Sequence, residues 1–288
     1  MGGDKMIKIE NAKKSYDGFQ LDCSFSIPKG TITGLVGSNG AGKSTAFKLF
    51  LNLISLDGGE VKLFGKDANS LTLQDKEKIG VVLTDTGFSE YLNANDISSI
   101  LDSMYSNFDK KKFIHLCETL QLPRSKRLRD FSTGMKAKLK TIIALTHNAE
   151  ILILDEVTTG LDVIVRNEIL DLLREYMSED DKRTILISSH ISSDLENLCD
   201  DLYMIKDGRI VFHEDIDVLL GKYASLKLSE EQFESIDKEY ILAKKTESYG
   251  YRCLTNERQY YLDNYPEIVI EKSNIDELMV IMNRGELL

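Results

Sequence analysis

A glycine-rich stretch at residues 37–45, GSNGAGKST, constrains the fold more than any other part of the sequence. It follows the apolar run 32–36 and leads into the apolar-rich segment 47–51, an order that predicts strand, loop and helix. Glycines let the loop curl so that backbone N–H groups converge on a phosphate, and the following helix directs its positive end to the same place. The spacing Gly37-x-x-x-x-Gly42-Lys43-Ser44 fits the Walker A pattern. The loop therefore predicts a triphosphate site that includes Ser38, Asn39, Gly40, Gly42, Lys43, Ser44 and Thr45.

Two side chains of this loop have specific chemical roles. Lys43 would reach the terminal phosphates, and the Ser44 hydroxyl would bind Mg²⁺. The alternative is a glycine-rich turn before an ordinary helix. The flanking strand and helix favour the phosphate site, because the motif needs both.

Composition limits the partners that this site can serve. The chain has 288 residues with 42% hydrophobic content, enough for a large domain with or without a small one. No apolar run approaches the ~18 residues that span a bilayer, and no apolar segment follows a basic N-terminus, so membrane attachment would need another protein. A formal charge of −11 argues against nucleic acid as a partner. The four cysteines form no CxxC pair, which predicts reduced thiols in the cytosol.

The segment before the loop predicts strands and one aromatic contact. Residues 6–36 alternate apolar and polar positions, with turns at Asp17-Gly18 and 28–30, which predicts antiparallel strands. Tyr16 falls at the end of the first strand, where its ring could stack on a nucleotide base, a contact worth roughly 1–3 kcal/mol. A half-buried strand tyrosine is an equally good interpretation of this pattern.

Two later strands end in residues suited to phosphate chemistry. Residues 151–156, ILILDE, form a short apolar strand that ends in two acids. At the carboxyl end of a buried parallel strand we assign Asp155 to a metal ion and Glu156 to an attacking water. The strand 184–188 is followed by His190, which could contact a γ-phosphate. Taken alone, the acids could begin a surface loop and the histidine could be solvated.

The remaining regions predict a helical subdomain and an appendage. Between about 93 and 148, apolar residues recur at three- and four-residue spacing, which predicts helices. Near the end of this block, Ser132 precedes a basic amphipathic helix and is either an anion-binding helix start or a plain N-cap. From about residue 222, charges and tyrosines become dense, which predicts a small α+β appendage with two helices. The predicted domains are thus 1–221 and 222–288.

The motifs occur in one order that resembles the ATP-binding-cassette (ABC) ATPases over residues 6 to about 220. GSNGAGKST is similar to their Walker A motif and ILILDE to their Walker B, with Glu156 as catalytic base. FSTGM at 131–135 is similar to the LSGGQ signature, TGLD at 159–162 to the D-loop, and SSH at 188–190 to the switch histidine. Tyr16 falls where the family places its adenine-stacking aromatic. The resemblance implies an α/β P-loop NTPase fold with a RecA-like core, an antiparallel β subdomain and a helical subdomain, followed here by the appendage.

The resemblance also implies that two chains share each ATP. In the family two cassettes pack head to tail, so that the signature of one chain covers ATP on the Walker A motif of the other. Here Ser132 and Gly134 would contact the γ-phosphate, with Asp162 of the D-loop as a further contact. ATP and Mg²⁺ are the implied cofactors, and the implied catalytic residues are Lys43, Glu156 and His190. An integral membrane transporter subunit and a second ABC ATPase protomer, identical or similar, are the implied partners.

Two departures from the family pattern bear on these expectations. The family usually has a glutamine after the strand 79–83, where this chain has Thr84 and then Asp85. Either residue could contact Mg²⁺ through water, but the glutamine's reach toward the membrane partner is lost. Three of the five signature positions differ from LSGGQ, whereas Ser132 and Gly134 remain. We therefore expect a working signature and an altered link to the membrane partner.

Within the family, TDTGF at 84–88 and FSTGMK resemble bacterial exporter cassettes of the bacitracin-resistance and YtrB-like kind. This implies a peptide, antibiotic or lipid-like amphiphile as cargo, and a peripheral location at the cytoplasmic face of a bacterial membrane. The alternative is a soluble ABC ATPase that acts on DNA or ribosomes. Such relatives carry a long coiled coil or two cassettes, whereas here 89 positions separate Lys43 from Ser132 in a single cassette. A third interpretation is a nucleotide-binding regulator without turnover, against which Glu156 argues.

Overall fold

The glycine-rich loop leaves the carboxyl end of a central strand in a largely parallel sheet. A computed structural model describes residues 5–84 and 87–288. With elements numbered in chain order, the spatial order of the strands is β10 (Arg209–Asp215), β9 (Asp201–Lys206), β3 (Ile32–Val36), β8 (Thr184–Ser188), β7 (Ile151–Asp155) and β6 (Ile79–Val82). Neighbours are parallel except β10 and β9. Every residue of β3, β7 and β8 is buried, as expected for strands covered on both faces.

A second sheet is antiparallel and begins the chain. Its spatial order is β2 (Phe19–Pro28), β1 (Lys5–Tyr16), β4 (Gly58–Leu63) and β5 (Lys66–Asp67). The prediction of antiparallel strands through residue 36 is wrong for its last part, because β3 joins the parallel sheet. The burial of β2 and β3 differs. Buried and more exposed residues alternate along β2, whereas β3 is buried at each position and needs cover on both faces.

Helices connect the strands before residue 223. Those that the structure describes there are α1 (Lys43–Phe50), α2 (Leu73–Lys76), α3 (Ala94–Met104), α4 (Lys110–Thr119), α5 (Thr133–Leu145), α6 (Val163–Ser178), α7 (Ser192–Leu198) and α8 (Ile216–Lys222). The helices α3 to α5 lie in the predicted helical block 93–148. Asn93 begins α3 with a capping box, and Ser132 is the N-cap of α5. Inward side chains such as Ile97 and Phe113 are fully buried, which accounts for the helical spacing of apolar residues.

The C-terminal region forms a third sheet, which is antiparallel. Its spatial order is β14 (Val269–Lys272), β11 (Ala224–Leu228), β13 (Gly250–Thr255), β12 (Ile241–Glu247) and β15 (Glu286–Leu287). The prediction of two helices here is wrong, because the described residues form α9 (Glu230–Ser235), α10 (Arg258–Asn264) and α11 (Ile275–Arg284). Two of these are too short to show helical periodicity. The capping box of Ser229 and Gln232 was the local signal for α9.

The last helix joins this sheet to the rest of the protein. Ile275, Leu278 and Ile281 of α11 are fully buried in the same apolar core as Leu195 and Leu198 of α7. The separate apolar cluster of the C-terminal region includes Leu226, Phe233 and Tyr261. The C-terminal sheet therefore has an apolar cluster of its own and is also anchored to the main core.

Two smaller observations concern the membrane and the thiols. In the part of the chain that the structure describes, no helix combines the length and the apolar character needed to cross a bilayer. All four cysteines are buried and none is in a disulfide. Burial raises the pKa of Cys117 to about 11 and that of Cys253 to about 12, which suppresses the reactive thiolate.

Candidate active site

The loop between β3 and α1 encloses the Lys43 ammonium group. Lys43 is 7% exposed, and its Nζ donates to the backbone oxygens of Gly37 at 2.7 Å and Ser38 at 3.3 Å. Burial lowers the pKa of Lys43, while the carboxylates of Glu156 and Asp155 act in the opposite direction. The ammonium group therefore points into the loop, where phosphate oxygens can replace the two carbonyl oxygens.

An open cavity of about 650 Å³ lies over this loop. Gly40 (φ 81°) and Gly42 (φ 115°) have left-handed backbones, which let the chain turn tightly beside it. Predicted site residues that line the cavity are Tyr16, Ser38, Asn39, Gly40, Gly42, Lys43, Ser44, Thr45, Glu156 and His190. These residues come from separate stretches of the sequence, so the fold brings together groups that were assigned independently.

Ser44, Asp155 and Ser188 form a hydrogen-bonded group at the carboxyl ends of the strands. Ser44 Oγ donates to Asp155 Oδ2 at 2.9 Å, and Ser188 Oγ donates to Oδ1 at 2.6 Å. They meet because β8 lies between β3 and β7. The described residues contain no cluster of three or more His, Cys, Asp or Glu that would hold a metal alone. Mg²⁺ commonly takes one or two hard oxygen ligands from the protein together with phosphate and water, so this donor set fits it.

The Glu156 carboxylate lies against His190. His190 Nε2 is 3.0 Å from Glu156 Oε1, and the His190 backbone N–H donates to Oε2 at 3.2 Å. Thr159 Oγ1 donates to the same oxygen at 2.6 Å. Glu156 has φ 56°, a strained region for a non-glycine residue, and such strain is concentrated at functional sites. Its backbone N–H donates to Ser188 O at 3.2 Å and to Ser188 Oγ at 3.1 Å, which holds the residue in this conformation.

The rim of the cavity joins one predicted residue to two that the sequence did not indicate. Tyr16, the predicted stacking aromatic, is 48% exposed. It stacks with Phe19, which was not predicted and also lines the cavity; the ring centroids are 6.5 Å apart and the planes at 27°. Asp207, in the turn between β9 and β10, also lines the cavity. The Gly208 backbone N–H donates to Ala41 O in the loop at 2.9 Å, which holds this turn in place. The pair Asp207-Gly208 is typical of a hairpin turn, but no local pattern indicates its contact with the loop.

Ser132, Gly134 and Asp162 do not line this cavity within the described residues. Ser132 is exposed, and its Oγ accepts from the Met135 backbone N–H at 3.2 Å. Asp162 Oδ1 accepts two backbone N–H groups in the first turn of α6, each at 3.0 Å. A Cβ on Gly134 would lie 3.2 Å from Val165 Cγ2, so glycine lets α5 approach α6 closely.

Thr84 lies beside a second cavity, of about 440 Å³. This cavity is lined by the end of β6 and the start of α5, and it also reaches Asp155, Glu156 and His190. A water-mediated contact between Thr84 and a metal at Asp155 is compatible with this arrangement. Asp85, the other residue predicted for this contact, lies outside the described residues.

Comparison with known proteins identifies the family. A profile described as "ABC transporter" matches residues 21–159. The lantibiotic transport ATP-binding protein SrtF of Streptococcus pyogenes is 33% identical over 216 residues, which cover 74% of this chain and 92% of SrtF. The chain belongs to the ABC transporter ATP-binding proteins. The bacitracin transport ATP-binding protein BcrA of Enterococcus faecalis is 34% identical over 218 residues, covering 74% of this cassette and 70% of BcrA. YtrB of Bacillus subtilis is 29% identical over 226 residues, with 78% and 77% covered.

Solved structures confirm the predicted fold of this ABC cassette. An ATP-binding subunit of an ABC transporter superposes with a TM-score of 0.67 at 22% identity, covering 74% of this chain and 91% of that one. A dimeric ATP-binding cassette with ADP and Pi bound superposes with a TM-score of 0.65 at 22% identity, covering 73% and 99%. The α/β P-loop fold and the family are thus as predicted. As a member of the family, the cassette is an ATP-binding and ATP-hydrolysing subunit of an ABC transporter.

Proposed function

We propose that this cassette hydrolyses ATP between two protomers and thereby drives a membrane subunit that exports a peptide, antibiotic or lipid-like amphiphile. One observation carries the catalytic part of this proposal. The Glu156 carboxylate is held by His190 and Thr159 in the cavity that also contains Lys43 and Ser44.

Binding begins with the exchange of partners at Lys43. The ammonium group leaves the carbonyl oxygens of Gly37 and Ser38 for the terminal phosphates, while loop N–H groups from Ser38 to Thr45 surround them. Tyr16 stacks on the adenine, a role supported by its exposure and its position on the rim. The loop thus binds the phosphates and the ring selects for a base.

Ser44 and Asp155 would hold Mg²⁺, with Ser188 orienting the carboxylate. When bound, the ion would supply positive charge that neutralises the phosphates. Thr84 and Asp85 would contribute to the same site. The hydrogen bond from Ser44 to Asp155 supports this role, because it brings the two oxygen atoms that would bind the metal within 2.9 Å of each other.

Glu156 is the general base and His190 positions it. The carboxylate accepts a proton from water as the water oxygen attacks the γ-phosphorus, and the bond to the bridging oxygen breaks to release ADP. His190 contacts both the Glu156 carboxylate and the γ-phosphate. Lys43 remains on the phosphate oxygens, where its charge stabilises the transition state.

A second protomer completes the site. Ser132, Gly134 and Asp162 of one chain contact the ATP held by the loop of the other. These three residues are not among those that line the cavity over the loop of their own chain, and Ser132 is exposed, which supports this arrangement. ATP therefore joins the protomers and hydrolysis releases them.

The membrane partner and cargo are inferred from relatives. SrtF and BcrA are named for lantibiotic and bacitracin transport, which supports a peptide or amphiphilic antibiotic as cargo. The cassette acts at the cytoplasmic face of a bacterial membrane, bound to a separate integral subunit. The C-terminal domain, 222–288, acts as an accessory module.

Replacement of Glu156 by glutamine tests the catalytic assignment. We expect ATPase activity to fall by at least about a hundredfold, because the amide cannot accept the proton. Glu175→Gln, an exposed change in α6, is the matched control and should leave the rate unchanged. Equal rates for wild type and Glu156→Gln would contradict the assignment of the base.

The same variant tests the shared site. With ATP and Mg²⁺, Glu156→Gln should elute from gel filtration as a dimer, and the additional change Ser132→Arg should return it to monomer. A monomer at high protein and ATP concentration would contradict a homodimer, and mixing with a second cassette of the same organism would then test a heterodimer.

Purification from membranes tests the partner. The tagged protein should bring down an integral membrane protein, and reconstitution of that pair should make ATPase activity respond to a lantibiotic or to bacitracin. Recovery of ribosomes or DNA in place of a membrane protein would support the soluble alternative.

A further inference from the structure

Polar contacts join the C-terminal helix α11 to α7, and one of them lies in the first turn of α7. The Ser192 hydroxyl donates to the Asp276 carboxylate, and Glu196 Oε1 accepts from the Ile275 backbone N–H at 2.9 Å. Each helix therefore supplies a carboxylate to the other. Ser192 is 7% exposed, so its hydroxyl needs a partner within the protein.

The same turn of α7 leads directly to the active site. His190 lies two residues before Ser192, and the intervening Ile191 backbone N–H donates to Ser189 Oγ at 3.0 Å. This local turn leaves the short connection little freedom. Because His190 contacts Glu156 through both its ring and its backbone N–H, a shift of the first turn of α7 would move His190 relative to the carboxylate.

The opposite side of this turn is held by the main core. Asp194, whose side chain is 2% exposed, forms an ion pair with α6, in which its Oδ1 lies 3.0 Å from Arg166 Nε. The first turn of α7 is thus held on one side by Arg166 and on the other by Asp276. Its position depends on both contacts.

We propose that Asp276 is a positioning residue for ATP hydrolysis, which acts through Ser192 and α7 to hold His190 at the Glu156 carboxylate. This inference rests on the proposed function, since it takes Glu156 and His190 as the groups at the γ-phosphate. It gives the C-terminal domain a direct role in the rate of hydrolysis. A subunit or ligand that displaced α11 would lower that rate.

The apolar contacts of α11 make the role of Asp276 separable from simple attachment. Leu278 and Ile281 are fully buried and keep α11 on the core without help from the first turn. Loss of the Asp276 contact should therefore move the start of α7 without releasing the domain. This difference allows an experiment that separates positioning from folding.

The test compares Asp276→Ala with Asp276→Asn in the full chain. Alanine removes the acceptor, and we expect kcat for ATP to fall about tenfold, because a misplacement near 1 Å can cost up to about a hundredfold. KM for ATP and the thermal midpoint should stay near wild type. Asparagine keeps an oxygen that accepts from Ser192, so its kcat should recover to within about twofold of wild type. Ser192→Ala added to Asp276→Ala should cost no further activity, because both changes remove one contact.

Glu277→Gln is the matched control on the same helix. Its carboxylate Oε1 accepts from Arg252 Nη1 at 3.1 Å within the C-terminal domain and makes no contact with α7 among those described, so kcat should not change. An Asp276→Ala variant with wild-type kcat, or an equal fall in Glu277→Gln, would overturn the positioning role while leaving the proposed function intact. If wild type lacked any hydrolysis that depends on Glu156, the proposed function would fail, and this inference with it.

Discussion

The left-handed backbone of Glu156 allows a direct measurement of strain at the proposed catalytic base. Two variants, Glu156→Ala and Glu156→Gly, both lose the carboxylate and its contacts with His190 and Thr159. They differ in one respect: alanine must still adopt φ 56°, whereas glycine does so freely. The difference between their free energies of unfolding therefore isolates the energetic cost of the left-handed backbone at position 156.

The expected magnitude follows from two opposing effects. A left-handed conformation costs an alanine roughly 1–2 kcal/mol. Glycine loses more chain entropy on folding, which costs roughly 0.5–1 kcal/mol relative to alanine at an ordinary position. We therefore expect Glu156→Gly to be more stable than Glu156→Ala by about 0.5–1 kcal/mol. This reverses the usual order of stability, in which the alanine variant is the more stable of the two.

Urea denaturation of the nucleotide-free protein measures this difference. The control is the same pair of substitutions at Glu175, an exposed position inside α6, where glycine should be less stable than alanine by about 1 kcal/mol. If glycine were also the less stable residue at position 156, the strain would be absent and the reasoning refuted. Neither variant at 156 should hydrolyse ATP, because both lack the base.

Two further predictions concern stability. A Cβ on Gly80 would lie 2.4 Å from Leu152 Cδ2 and 2.6 Å from Ala144 O, so Gly80→Ala should lower the free energy of unfolding by about 1–3 kcal/mol. Gly221 has open space around it, so the control Gly221→Ala should not destabilise the protein. Equal effects of the two changes in urea denaturation would contradict this prediction. Burial lowers the pKa of His147 in the folded protein below its ordinary value of 6.5. As the pH drops through 6.5, the histidine of the unfolded state binds a proton before that of the folded state does. The free energy of unfolding should therefore fall as the pH drops below 6.5. His147→Gln should reduce the pH slope of the free energy of unfolding, and an unchanged slope would exclude His147 as its source.

Spacing within short stretches was enough to predict much of the candidate site. The loop 37–45 and the acids Asp155 and Glu156 are each contiguous, so their chemistry can be read without the fold. Helical spacing in 93–148 predicted the helical block, because burial of one helix face is a local property. The C-terminal region was less predictable, since α9 and α10 are too short for periodicity and the short apolar stretches do not specify strand pairing.

The sequence by itself determined that a phosphate loop, an acidic strand end and a helix-capping serine are present, because each depends on neighbouring residues along the chain. Only the tertiary structure decided which of them meet. Ser44, at the start of α1, and Asp155, at the end of β7, are 111 positions apart. They make contact because the strand that precedes α1, β3, is separated from β7 only by β8, an order of strands that periodicity does not specify. The contact between Ser192 and Asp276, 84 positions apart, likewise depends on where α11 packs. Local patterns specify elements, whereas the burial of apolar faces against one another selects their neighbours.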